Sequence, residues 1–117
     1  MLLRIKNLRV QSRLGVYDWE QHGVHKIILN IEIHFDGSAA AKSDKITDTI
    51  DYAQIEKELI DLIEGRKFHL VETLAHHVAE HILTYPKVEE VSVEVDKVGT
   101  LKHTDSVSIQ QRLSKKG

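Results

Sequence analysis

The chain has 117 residues, 41% hydrophobic and 29% charged, and its 16 Lys and Arg against 18 Asp and Glu leave a formal charge of -2. That length suits a single globular domain, here 1–117, and without a basic excess neither nucleic acid nor an anionic membrane is an expected partner. The absence of cysteine excludes a disulfide frame and thiolate chemistry, and with no signal-like or spanning segment the expectation is a soluble, cytoplasmic protein.

Leu2 to Leu14 alternates between apolar and polar residues, but the apolar parity moves from Leu3 and Ile5 to Leu8 and Val10. One inserted residue does this, so a bulged strand is predicted, with the bulge near Asn7. From Lys26 to Phe35 the apolar residues fall on Ile27, Leu29, Ile31, Ile33 and Phe35, the pattern of a half-buried strand. The connection Asp36 to Asp51 is the longest and is the expected site-forming loop. Asp51 is a plausible N-cap, with Gln54 three positions on, for a helix carrying Ile55, Leu59, Leu62 and Ile63 and stopping at Gly65. A second helix carries Val71, Leu74, Ala75, Val78 and Ile82 and stops before Pro86. Two strands close the chain, one with Val91, Val93 and Val95, the other with Val107, Ile109 and Leu113. The predicted class is α+β: a four-stranded antiparallel sheet with two helices on its apolar face, a polar face left over and two free edges that invite association.

Lys97 continues the apolar parity of Val91, Val93 and Val95, so its stem should run along the buried side before the chain turns at Gly99. It is either a candidate for proton transfer or a strand-end lysine whose amine reaches water. Glu72 opens the second helix in register with Ala75, Ala79 and Leu83; it either complements the positive helix end or is aimed at paired N–H donors of a ligand. Tyr52 at the start of the first helix is a packing residue or a proton relay, and Glu20 in the turn between the first strands means little alone. His76, His77, Glu80 and His81 suggest a metal site only by the one-turn spacing of His77 and His81, and a solvated polar helix face accounts for them better.

Four segments together resemble the dihydroneopterin aldolase family of folate biosynthesis. They are Gly15-Val16-Tyr17-Asp18-Trp19-Glu20, the run from Ala40 through Asp48-Thr49-Ile50-Asp51-Tyr52, Phe68-His69-Leu70-Val71-Glu72-Thr73-Leu74-Ala75, and Val93-Glu94-Val95-Asp96-Lys97. The resemblance implies the tunnelling fold, ββααββ, joined edge to edge into a homo-oligomeric ring, a tetramer or a pair of rings making an octamer. It also implies a pterin substrate held at a subunit interface. Glu72 would grip the amino-pyrimidinone edge with Val71 beside it, and Thr49, Ile50 and Tyr52 would come from a neighbour. Val16 and Glu20 would lie near the substrate, Glu20 at its trihydroxypropyl tail, and Lys97 with Tyr52 would handle protons. No cofactor, metal or Schiff base is implied. After the lysine, family members typically continue Pro-x-Ala, whereas this chain reads Val98-Gly99-Thr100-Leu101. The stretch to Asp105-Ser106-Val107-Ser108 is closer to the sister family, dihydroneopterin triphosphate 2′-epimerase. A non-catalytic pterin-binding ring is the alternative of another class, and retention of Lys97 and Glu72 speaks against it.

Overall fold

A computed structural model describes residues 1–14, 25–99 and 101–115. Its elements in chain order are β1 (Leu2–Leu14), β2 (His25–Phe35), α1 (Ser38–Ser43), a single 3-10 turn at Ile46–Asp48, α2 (Tyr52–Glu64), β3 (Lys67–Phe68), α3 (Val71–Leu83), β4 (Val88–Val98) and β5 (Ser106–Ser114). The sheet runs β3-β1-β2-β4-β5.

The four long strands pair antiparallel, with Val10 opposite Ile27, Ile27 opposite Lys97 and Lys97 opposite Val107. In β1 the register slips between Ile5 and Leu8, so Lys6 and Asn7 together face Asn30. Asn7 adopts φ 55 and its N–H is accepted by the Asn30 side-chain oxygen at 2.9 Å, which suits a residue type tolerated in the left-handed region. The slip keeps Leu3 and Ile5, opposite Ile33 and Ile31, on the same face as Leu8 and Val10.

That face is covered by α3, lying over β4 and β5, and by α2, which flanks β1. Ile55, Leu59 and Ile63 of α2 and Leu74, Ala75, Val78, Ala79 and Ile82 of α3 are buried against β-branched and leucine side chains of the sheet. Truncating a side chain as enclosed as Leu59 removes its burial and leaves a cavity, at a cost of about 2 to 5 kcal/mol. Asp51 caps α2 through its carboxylate, which accepts from the N–H groups of Ala53 and Gln54 at 3.1 and 3.2 Å. Gln54 does not complete the reciprocal box; its amide turns along the helix to Glu58.

The four-stranded count needs correction. Lys67 and Phe68 pair in parallel with Arg13 and Leu14 as a fifth strand. The Glu64 carboxylate also accepts the Gln11 N–H at 3.3 Å. The β1 edge is therefore closed near its C-terminal end. A two-residue strand has too few alternations to leave a periodic signal. The long connection likewise contains a helical turn and a half at Ser38–Ser43. Among the described residues no helix is long and apolar enough to cross a membrane.

Candidate active site

Lys97 sits one residue from the end of β4 with its side chain on the helix-covered face, flanked across the ladders by Ile27 and Val107, and it is 7% exposed. Gly99 follows at φ 76, a conformation that costs a residue with a Cβ about 1 to 2 kcal/mol. A Cβ there would meet nothing within 4 Å, so backbone conformation alone requires the glycine.

α3 starts just after β3, whose partner is the last residue pair of β1, and it lies over β4 and β5. Its N-terminus therefore falls at the Lys97 end of the sheet. Val71 is half-buried against the core. Glu72 is exposed in the first turn, and because the N-cap position is Leu70, no side-chain oxygen caps this helix end. The Glu72 side chain thus stands at the helix end where the backbone N–H groups of the first turn lie.

Thr49, Ile50 and Tyr52 gather at the other end. Tyr52 is 64% exposed and lines a cleft of about 450 Å³ with Leu3, Arg4, Ile5, Ala53 and Glu56. Thr49 and the buried Ile50 line a smaller cleft, about 200 Å³, with Asp51, Tyr85, Pro86 and Lys87. From Arg4, beside Tyr52, to Val10, in the rung of Lys97, six residues of strand span roughly 20 Å at about 3.3 Å each. One chain does not bring Tyr52 to Lys97 and Glu72. Glu20 and Val16 lie outside the described residues, as does Thr100 of the segment after the lysine.

The helical histidines have other engagements. His76 pairs with Glu80 at 3.2 Å, and His77 meets the Phe68 ring edge to face at 5.9 Å, with the Arg66 guanidinium 4.5 Å from the same ring's centroid. His81 Nε2 lies 2.6 Å from Glu58 Oε1, which also accepts the Tyr85 hydroxyl at 2.5 Å, while Gln54 donates to Glu58 Oε2 at 2.6 Å. These donors, Tyr85 first, hold the Glu58 carboxyl down at about 2. Burial and then the Glu58 carboxylate push the Tyr85 phenol up to about 12. Sequence reasoning missed this Glu58–His81–Tyr85 cluster. The available signal was the four-residue spacing of Gln54 with Glu58 within α2 and of His81, in the last turn of α3, with Tyr85 just beyond it. Among the described residues no three His, Asp or Glu side chains are grouped closely enough to hold a metal ion.

The remaining face of the sheet is polar. Arg4 pairs with Glu32 at 2.9 Å, and Gln110 donates to the buried Ser92 hydroxyl at 2.7 Å, beside a shallow cavity that also reaches Lys6 and Glu94.

The family model for dihydroneopterin aldolase matches residues 3–112. The chain belongs to the dihydroneopterin aldolase family. The dihydroneopterin aldolase of Escherichia coli K12 is 36% identical over 105 residues, 90% of this chain and 86% of that protein. The dihydroneopterin triphosphate 2′-epimerase of the same strain is 32% identical over 108 residues, 92% of this chain and 90% of that one. Among solved structures, E. coli dihydroneopterin aldolase in complex with neopterin superposes with a TM-score of 0.92 at 33% identity, covering 97% of this chain and 99% of the other. The four long strands and two long helices follow the ββααββ order of the tunnelling fold that the family resemblance implies.

Proposed function

We propose that this family member is a 7,8-dihydroneopterin aldolase, cleaving its substrate to 6-hydroxymethyl-7,8-dihydropterin and glycolaldehyde. The observation that carries the reading is the similarity, over nearly the whole chain in sequence and in backbone, to an E. coli aldolase whose structure holds neopterin.

The chemistry fits the residues. Lys97, directly or through a water, takes the proton of the C2′ hydroxyl; the C1′–C2′ bond breaks and releases glycolaldehyde, and the electron pair left on C1′ passes into the ring C=N bond to give an enamine. Protonation at C1′, with Tyr52 assisting, completes the hydroxymethyl product. Because the dihydropterin ring is its own electron sink, neither a Lewis acid nor a Schiff base is required. Glu72, at a helix end that no side chain caps, accepts the two adjacent N–H donors of the amino-pyrimidinone edge, with Val71 beside it. Val16 and Glu20 belong to the same pocket by family resemblance.

Thr49, Ile50 and Tyr52 complete that pocket from a second copy of the chain. Their separation from Lys97 within one chain supports this arrangement, as do the edge strand β5 and the largely open edge of β1. A ring of four copies, or two such rings, pairs these edges and joins each Lys97 half-site to a Tyr52 half-site.

The 2′-epimerase is the second reading, favoured by the 32% identical relative of that name. It uses the same cleavage followed by re-addition of the aldehyde in the opposite orientation. Incubating the purified protein with dihydroneopterin and with its triphosphate, and resolving products by chromatography, separates the outcomes. Hydroxymethyldihydropterin with glycolaldehyde supports the aldolase, inverted C2′ supports the epimerase, and pterin binding without turnover leaves a non-catalytic ring.

A further inference from the structure

The Glu58–His81–Tyr85 cluster has no part in the chemistry above, yet it stands against one of the half-sites. Glu58 lies halfway along α2, six residues after Tyr52, and Tyr85 lies in the turn from α3 to β4. The phenol donates to Glu58 at 2.5 Å, and the Tyr85 ring meets His81 edge to face at 6.1 Å. On the other side of the turn, Lys115 Nζ donates to the carbonyls of Tyr85 and Pro86 at 2.7 and 3.3 Å. Held by both Glu58 and Lys115, Tyr85 lines the same cleft as Thr49, Ile50 and Asp51.

We propose that Tyr85 is a positioning residue for the half-site made by Thr49, Ile50 and Tyr52, acting through its hydrogen bond to Glu58. The bond ties the middle of α2 to the α3–β4 turn and, through the helix, limits where the Thr49–Tyr52 segment at its N-terminal end stands when it is presented to a neighbouring copy. The substrate in this account rests on the aldolase reading, whereas the ordering of the segment rests on the contacts alone. Glu58 serves as the acceptor, and any acceptor of the same reach should suffice.

The test compares the full-length wild type with Tyr85→Phe, Glu58→Leu and Glu58→Gln, the last retaining an acceptor for the phenol. Hydrogen exchange of residues 49–55 is measured first, without substrate. Tyr85→Phe and Glu58→Leu should each speed exchange there by about tenfold, leaving β2 and β4 unchanged, while Glu58→Gln stays within about twofold. In turnover, Tyr85→Phe and Glu58→Leu should raise the dihydroneopterin KM and the neopterin Kd by roughly five- to twentyfold with kcat within about threefold, and the double variant should be no worse than either. Unchanged exchange in Tyr85→Phe overturns the proposal, as does faster exchange with unchanged KM and Kd. A parallel fall of kcat and melting temperature at constant KM also overturns it, since that is what a purely structural contact would do. A wild type that neither cleaves dihydroneopterin nor binds neopterin overturns the aldolase reading instead, and the exchange result then decides whether Tyr85 orders the segment.

Discussion

Tyr52 and Lys97 stand at opposite ends of the same sheet: Tyr52 beside Leu3 and Ile5, Lys97 across from Ile27, whose other partner is Val10. If each working site takes one residue from each of two chains, two inactive variants can repair each other. Tyr52→Ala and Lys97→Ala proteins, unfolded together and refolded as a mixture, should regain roughly a quarter of wild-type activity by random assembly. A mixture as inactive as its components would show that the site is built within one chain.

Glu72 should act on binding first. On the proposed binding mode Glu72→Ala would leave two pterin N–H donors without their acceptor, and it should weaken neopterin binding by about 2 to 5 kcal/mol in calorimetry. Unchanged affinity would reduce Glu72 to a helix-end charge.

Lys97 should act on the chemical step. Lys97→Ala should hold pterin affinity within a few fold while single-turnover cleavage slows by roughly 10²- to 10⁴-fold. Lys97→Arg should not restore the rate, because a guanidinium keeps its proton at any accessible pH. Near-normal cleavage in Lys97→Ala together with its loss in Tyr52→Phe would move the proton transfer to the tyrosine.

The Glu58–Tyr85 contact carries its own pH signature. The Glu58 carboxyl is lowered from 4.5 to about 2, so its stabilisation is complete above the ordinary value and is lost as pH falls towards about 2. The Tyr85 phenol is raised from 10.0 to about 12, so its contribution is complete below the ordinary value and is lost as pH rises through about 12. The melting-temperature difference between wild type and Glu58→Leu should therefore be present from about pH 5 to about pH 9, shrink as pH falls towards about 2 and shrink as it rises through about 12. A difference that persists undiminished down to about pH 2 would mean that the contact does not depend on an ionised Glu58.

On the proposed route the ring C=N bond takes up the electrons, so turnover should survive metal removal. Loss of activity in EDTA, restored by zinc, would return the helical histidines to consideration.

The long elements were legible because each repeats its signal. Five alternations define β2, the parity change in β1 marks the bulge, and Asp51 announces α2 by the oxygen it can offer to two N–H groups. The parity of Lys97 likewise predicts its burial. β3 has too few residues to repeat anything, although Ala39-Ala40-Ala41 did carry a helical propensity that the long connection obscured. Helical spacing placed Glu72 on an apolar row, but spacing gives a direction around the axis and not a depth along it, and in the first turn that row is exposed. His81 could not be interpreted locally, because its partner Glu58 lies 23 residues away on another helix. The distance between the two half-sites was equally hidden, since it depends on which way each helix runs along the sheet.

The bulge at Asn7 reaches beyond β1. Delete that residue and Leu3, Ile5, Leu8 and Val10 would alternate without interruption, so the strand would keep its inside and its outside. What would go is the local bend and extra twist that a bulge imposes. Identical copies joined edge to edge close only when the angle turned at each copy divides a full circle, and the curvature of each sheet contributes to that angle. In a ring of these chains, the number of members is then tied to a residue whose side chain belongs to neither half-site.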